Sequence, residues 1–278
     1  MLRRALLTLS LCSLLSFTPA CGGALPEVCV EGVDRTPTPG PSRPHAHNDY
    51  EHEHPLEDAL AAGFTSVEAD VFYAGGRFEV SHYGPFPKGT LERLYLEPLQ
   101  RRASAGGLVA SGTPFTLWID LKDSDDGLVD ALHALLDRYP MLTVFDDAEG
   151  TKPGAVTVIL TGNAEMKEQF AQSRSRRHAV RDSNDFSPDD PPADARWGHY
   201  ALKWSDYLDW NGENTLPPEQ SERLACIVNR AHALGRQVRF FGGPDTRETW
   251  STWQAHGVDF LHTDDLRGMQ EYLRARGQ

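Results

Sequence analysis

Eight short runs of β-forming residues alternate along this chain with stretches of helical spacing, and few architectures accept that rhythm. The runs cover 44–47, 66–72, 115–122, 156–161, 178–182, 200–204, 238–242 and 259–264. Helix candidates lie at 56–62, 127–137, 218–234, 246–256 and 266–274. In the second of these, Leu128, Leu132, Leu135 and Leu136 share one face. A helix after a strand returns the chain to the strand's starting end, so successive strands run parallel. Eight such units predict an α/β fold, a single (β/α)8 TIM barrel. The segment 77–82 is expected as an extra hairpin strand. The polar, Pro- and Asp-rich segment 184–197 is expected as a long loop over one barrel mouth. No internal repeat, nucleotide-binding glycine loop or nucleophile elbow is present.

The N-terminus reads differently. Arg3 and Arg4 precede an apolar run over 5–17, shorter than the ~20 residues that cross a bilayer. Thr18-Pro19-Ala20-Cys21 follows. This layout predicts a signal peptide over 1–20. Either cleavage after Ala20 frees a soluble protein, or Cys21-Gly22-Gly23 is a lipoprotein junction and a lipidated Cys21 tethers the chain to a membrane. The expected location is the bacterial cell envelope or the exterior. Residues 21–42, dense in Pro, Thr, Gly and Ser, read as a flexible linker, and the barrel is assigned to 43–278. The roughly 255 residues after the signal suit one domain, since such barrels take ~250. Cys12 lies in the signal. Cys29 and Cys226 either pair in an oxidising compartment or leave Cys226 as a buried free thiol. No cysteine spacing resembles a zinc site. The net charge of −13 repels polyanions, so nucleic acid is not an expected partner. A small phosphorylated ligand is not excluded, and a monomer is expected.

Chemistry gathers at the ends of the β-type runs. The first ends in His45-Ala46-His47-Asn48-Asp49-Tyr50. The second holds Glu68 and Asp70, two residues apart and so on one side of a strand. Two carboxylates aimed into a barrel repel each other and are costly to bury, and a divalent cation relieves that cost. His82 follows the hairpin. The third run carries Asp120 and Lys122, again on one side of an otherwise apolar strand. Reactive groups of such barrels collect at the C-terminal strand ends, where all of these residues fall.

This order of residues resembles the superfamily of glycerophosphodiester phosphodiesterases and phosphoinositide-specific phospholipases C. The start His-Ala-His-Asn-Asp-Tyr, with residues 55–60 and 67–71, is most similar to a branch named for altered inheritance of mitochondria. The Asp120-Leu121-Lys122 triplet is also similar to sphingomyelinase D enzymes. The resemblance implies Glu68, Asp70 and Asp120 as ligands of one Mg2+ or Ca2+. It implies His47 and His82 as acid and base, with Lys122 as a second positive charge at phosphorus. His47 is the better match for the first histidine, with His45 as its partner. The substrate implied is a small-molecule or lipid phosphodiester. Asn48, Trp204 and Thr263 are expected to contact it, and Asp264 to orient the site. The chain departs from the glycerophosphodiesterase pattern at Asn48-Asp49, where Arg-Gly is usual, and at Tyr83, where Asp is usual.

Two other readings stand beside this one. Binuclear-metal amidohydrolases also open with His-x-His, and His178, His199 and Asp264 would have to complete that site. Yet His178 and His199 fall at the wrong ends of their strands, and Glu68 and Asp70 would have no task. A non-catalytic envelope lipoprotein that binds a phosphorylated ligand is the other alternative. His52 and His54 are assigned to an exposed surface.

Overall fold

The computed structural model describes residues 26–108 and 114–277. The expected signal peptide and Cys21 lie outside the described residues. Eight parallel strands form the barrel: β1 (Arg43–Ala46), β2 (Ser66–Ala74), β3 (Phe115–Leu121), β4 (Val156–Gly162), β5 (Ala179–Ser183), β6 (Trp197–Lys203), β7 (Gln237–Phe241) and β8 (Phe260–Thr263). Each pairs with its neighbours, and β1 pairs with both β8 and β2, so the sheet closes on itself. The hairpin strand Arg77–Val80 is present and pairs antiparallel with β2.

Side-chain alternation sorts each strand into two faces. Val67, Ala69, Val71, Leu117, Ile119, Leu121, Val156, Val158 and Leu160 belong to the large apolar cluster between strands and helices. Trp118, Ile159, Val180, Ala201 and Phe260 form a separate, smaller cluster inside the barrel. Phe145 joins this inner cluster from a small antiparallel sheet of Val144–Asp146, Gly150–Lys152 and Arg176–Arg177. That sheet sits at the N-terminal end of the strands and was not foreseen in the sequence. Polar residues of the same inward phase lie on either side of the inner cluster. Arg43, Thr116, Thr157, His199 and Gln237 are at the N-terminal end. His47, Asp70, Asp120, Thr161, Asp182 and His262 are at the C-terminal end. The register Asp70↔Asp120 and Asp120↔Thr161 puts these last groups at one level.

The foreseen helices appear as α1 (Glu57–Ala61), α3 (Leu128–Leu136), α6 (Pro218–Ala233), α7 (Arg247–Ala255) and α8 (Leu266–Arg274). Three more were missed: α2 (Glu97–Ser104), α4 (Ala164–Ser173) and the one-turn α5 (Trp204–Tyr207).

Two expectations change. The segment 184–196 does not lie over a mouth. It is the crossover from β5 to β6, running down the barrel flank where a helix would otherwise return the chain. Phe186 N–H donates to Tyr207 Oη, Arg230 Nε to Pro188 O, and Ala193 N–H to Leu234 O. A parallel β5–β6 pair forces this descent, and the prolines at 188, 191 and 192 exclude a helix. The described part of the segment read as linker, 26–42, lies against the barrel rather than running free. Val28 is buried, Asn229 Nδ2 donates to Asp34 O and Thr36 O, and Ser42 Oγ donates to Val258 O. Of the two options for Cys29 and Cys226, the structure has the disulfide, which ties this strap to α6.

Candidate active site

Glu68 and Asp70 on β2 and Asp120 on β3 share the inward phase of neighbouring strands. They offer carboxylate oxygens all within 4.8 Å of one another. Burial and the Glu68 charge push Asp120 up to about 6. Its Oδ1 is buried without a hydrogen-bond partner, although carboxylate oxygens in interiors are normally satisfied. Space for that oxygen exists because residue 162 is glycine: a Cβ there would lie 2.0 Å from Asp120 Oδ1. Three crowded carboxylates with one orphaned oxygen fit a hard divalent cation.

Two cations already brace this cluster. Lys122 Nζ lies 2.9 Å from Asp70 Oδ2 and 2.8 Å from Asp120 Oδ2. Burial opposes its charge, but the Asp120 and Asp70 charges outweigh burial and raise its pKa. Arg239 on β7 holds Glu68 bidentately, at 2.9 and 3.1 Å, and its guanidinium lies 4.3 Å over the Trp118 ring. Burial alone would raise the Glu68 pKa, but the Arg239 guanidinium above all holds it well below the usual carboxylate range. Arg239 was missed in the sequence. Its signal was a lone cation in the apolar run Val238-Arg239-Phe240-Phe241.

The histidines at 47 and 82 are held alike. Nδ1 of His47 lies 2.8 Å from Asp264 Oδ1, and its Nε2 faces Glu68 Oε2 at 3.8 Å. Burial would lower its pKa, yet the Asp264 hydrogen bond and the Glu68 and Asp264 charges make the net direction upward. Nδ1 of His82 lies 3.0 Å from Asp70 Oδ2 and 3.1 Å from Tyr50 Oη. Tyr50 donates its own proton to Asn48 Oδ1 at 2.8 Å, so its oxygen can accept from His82. Each imidazole thus donates from Nδ1 to a carboxylate and keeps Nε2 for other work. Asn48, expected to bind substrate, has φ 45° and ψ 39° and holds Tyr50. His45 is fully buried between Ser66 Oγ at 2.8 Å and Arg239 Nη1 at 2.7 Å, and burial pushes it down to about 4. A neutral His45 therefore accepts from Arg239 and steadies its grip on Glu68. His262, also missed, is buried and lies against His47, the rings tilted by 37° with centroids 4.2 Å apart.

Two expected substrate contacts are corrected. Trp204 is 3% exposed. It packs on Phe240 and Trp253 and donates its indole proton to Trp210 O. Thr263 is fully buried, donates to Asp245 Oδ2 and accepts from Asp265 N–H. Thr263 has the outward phase of β8, and Trp204 opens α5 just beyond β6 and packs in the outer apolar cluster, so both point away from the barrel interior. His178 and His199 lie at the opposite end of the barrel from the carboxylates, where His199 meets Gln237 at 3.3 Å. The amidohydrolase site therefore has no geometry to support it. His54 is exposed beside Asp58, as expected.

The model of the AIM6-like phosphodiesterase domain matches residues 35–106. Altered inheritance of mitochondria protein 6 of Eremothecium gossypii is 30% identical over 83% of this chain and 69% of its own length. A homologue from Arthroderma benhamiae is 28% identical, over 82% of this chain and 83% of its own length. Among solved structures, a glycerophosphodiester phosphodiesterase from Parabacteroides distasonis superposes with a TM-score of 0.56 at 16% identity, covering 87% of this chain and all of that one. A calcium-dependent phosphoinositol-specific phospholipase C from Pseudomonas superposes at 0.54 with 13% identity, covering 81% and 90%. These structures share the barrel. The relatives also correct the expected location: they are eukaryotic proteins named for mitochondrial inheritance, so placement in a bacterial envelope is withdrawn. A basic start followed by a short apolar run does not say which kind of cell reads it. By its similarity to the Eremothecium protein over most of both chains, this chain belongs to the family of altered inheritance of mitochondria protein 6.

Proposed function

We propose that this chain hydrolyses phosphoric diesters, on a glycerophosphodiester or phospholipid-like substrate, with one divalent cation and two histidines. The observation that carries the reading is the pair of imidazoles, each bonded through Nδ1 to a carboxylate, flanking three clustered carboxylates. Glu68, Asp70 and Asp120 would hold Mg2+ or Ca2+, and a fold neighbour is calcium-dependent. When bound, the cation supplies positive charge at a phosphoryl oxygen as negative charge develops there.

Glu68, Asp70, Asp120 and Asp264 set four negative charges against Lys122 and Arg239, and a divalent ion would offset the remaining two. His47 takes a proton from the attacking water through Nε2, because Asp264 and Glu68 stabilise its imidazolium. His82 delivers a proton to the leaving alkoxide, while Asp70 and Tyr50 fix its ring. Lys122, braced between Asp70 and Asp120, adds positive charge at the same mouth.

The test is hydrolysis of bis(p-nitrophenyl) phosphate with Mg2+, Ca2+ or EDTA, beside calorimetric metal titration. Turnover should require the cation, and Glu68→Gln should lose both metal binding and activity. His82→Ala should keep metal binding and lose about 10²-fold or more in rate on a dialkyl glycerophosphodiester, and much less on bis(p-nitrophenyl) phosphate, whose nitrophenolate leaves without a proton. A folded protein that binds neither ion would sink this reading. One that binds metal but cleaves nothing would favour a binding role for phosphorylated ligands.

A further inference from the structure

Among the described residues, only two large apolar side chains are classed as exposed: Tyr83 at 83% and Phe86 at 84%. Both belong to Tyr83-Gly84-Pro85-Phe86-Pro87, which begins one residue after His82. Pro85 and Pro87 are exposed as well. Single exposed hydrophobes are ordinary, but two aromatics and two prolines within five residues form a patch at the mouth of the site.

The loop is held at its roots. Ser81 N–H donates to Asp70 O and Lys88 N–H to Val80 O. Gly84 N–H donates to Ser81 Oγ at 3.1 Å, and Lys88 pairs with Glu51 at 2.8 Å. Pro85 and Pro87 fix φ and lack N–H donors, which limits the ways this loop can fold back. The aromatic rings stand out from a braced base beside His82.

Area and charge select the occupant. A stable protein interface takes about 800 Å2 per partner, whereas two aromatic side chains offer roughly 300–500 Å2. A second copy of this chain is therefore poorly served by this patch. A lipid surface needs only a few inserted side chains, and aromatic rings settle at headgroup depth. The net charge of −13 opposes an anionic leaflet, and the cation at the end of the loop, Lys88, is already paired. No described helix is long and apolar enough to cross a bilayer, so contact through this loop would be peripheral.

We infer that the 83–87 loop docks the site mouth onto a zwitterionic phospholipid surface. The inference rests on the diesterase reading for its substrate class: a phosphodiester whose apolar part stays in the lipid layer while the headgroup enters past His82.

The experiment is co-sedimentation with phosphatidylcholine vesicles and with vesicles that also contain phosphatidylglycerol. It compares wild type, Phe86→Ser and Phe86→Trp, with circular dichroism as the check on folding. Wild type should bind the zwitterionic vesicles and bind the anionic mixture less. Phe86→Ser should lose about tenfold or more in partitioning and keep wild-type turnover of bis(p-nitrophenyl) phosphate. The Phe86→Trp fluorescence should shift to the blue on vesicle addition. No vesicle binding by wild type, or equal binding by Phe86→Ser, overturns the inference. So does a concentration-dependent dimer that Phe86→Ser abolishes. Because binding is read without turnover, vesicle binding by a protein that cleaves no diester would support the docking surface while overturning the diesterase reading.

Discussion

His47 and Asp264 set the tightest test of a single contact. Asp264 Oδ1 receives Nδ1–H of His47 and so fixes the tautomer that leaves Nε2 toward the site. Asp264→Asn should lower kcat by about 10–100-fold with little change in KM, because the contact is partly exposed and a wrong tautomer remains only part of the time. Steady-state kinetics with 15N spectra of the ring would separate lost tautomer control from lost folding. Asp49 offers a second test, on stability. Burial raises its carboxyl to about 6, although Leu56 N–H and Tyr95 Oη donate to it. A raised carboxyl binds more protons folded than unfolded, so this stabilisation is present below pH 4 and lost as pH rises through 6. Asp49→Asn should flatten the Tm profile across that window. An unchanged slope would remove Asp49 as its cause. Most of the clustered polar groups were legible because alternation on β2 and β3 puts Glu68, Asp70, Asp120 and Lys122 on one side. The same alternation, carried to β6 and β8, would have turned Trp204 and Thr263 outward. Arg239 was harder to see, since its partner Glu68 lies 171 positions away.

Among the elements, the end of β4 matters more than its length suggests. Gly162 has φ +83°, and an added Cβ would meet Asp120 Oδ1 and lie 2.5 Å from Leu121 O. Neither the backbone angle nor the Leu121 carbonyl can yield cheaply. Gly162→Ala should cost about 2–3 kcal/mol and weaken Mg2+ or Ca2+ binding by displacing Asp120. Denaturant melts with calorimetry would read both, and unchanged metal affinity would show that Asp120 adapts. The strands after β1 were readable because each combines β-branched or aromatic residues with a short span, whereas β1, Arg43–Ala46, has neither. The helix α4 was not, because Met166 and Phe170 are its main apolar anchors among polar residues. Its Asn163 cap, which accepts Met166 N–H at 3.1 Å, was the cue. The helix α2 continues directly from a π-helical turn over Glu92–Leu96 and carries Pro98 inside that run, and an interior proline argues against a helix when the sequence is read alone. The β5–β6 crossover was misplaced because a polar composition states exposure but not direction.

For the molecule as a whole, the parallel barrel was readable from the order of its elements, whereas the strap over 26–42 was not. Proline-rich composition predicts an extended chain, and it does not say whether that chain finds a surface. Cys29 and Cys226, 197 positions apart, join this strap to α6. Cys29→Ser should cost about 2–4 kcal/mol, lower Tm by several degrees and open residues 30–41 to proteases. Thermal melts and limited proteolysis, with and without reductant, would check it, and an unmoved Tm would mean that the noncovalent strap contacts suffice.

The same bond decides how the molecule carries load. Tension arriving through the residues before Cys29 crosses the sulfur–sulfur link into α6 and continues through β7 and β8. The strands β1 to β6 lie inside the covalent loop and are bypassed. Glu68, Asp70, Asp120, His47 and His82 all lie on that sheltered length of chain. A pull on the oxidised protein would reach the last two strands first, and with them Arg239 and Asp264, the partners of Glu68 and His47; with the bond reduced, β1 would also lie in the line of force.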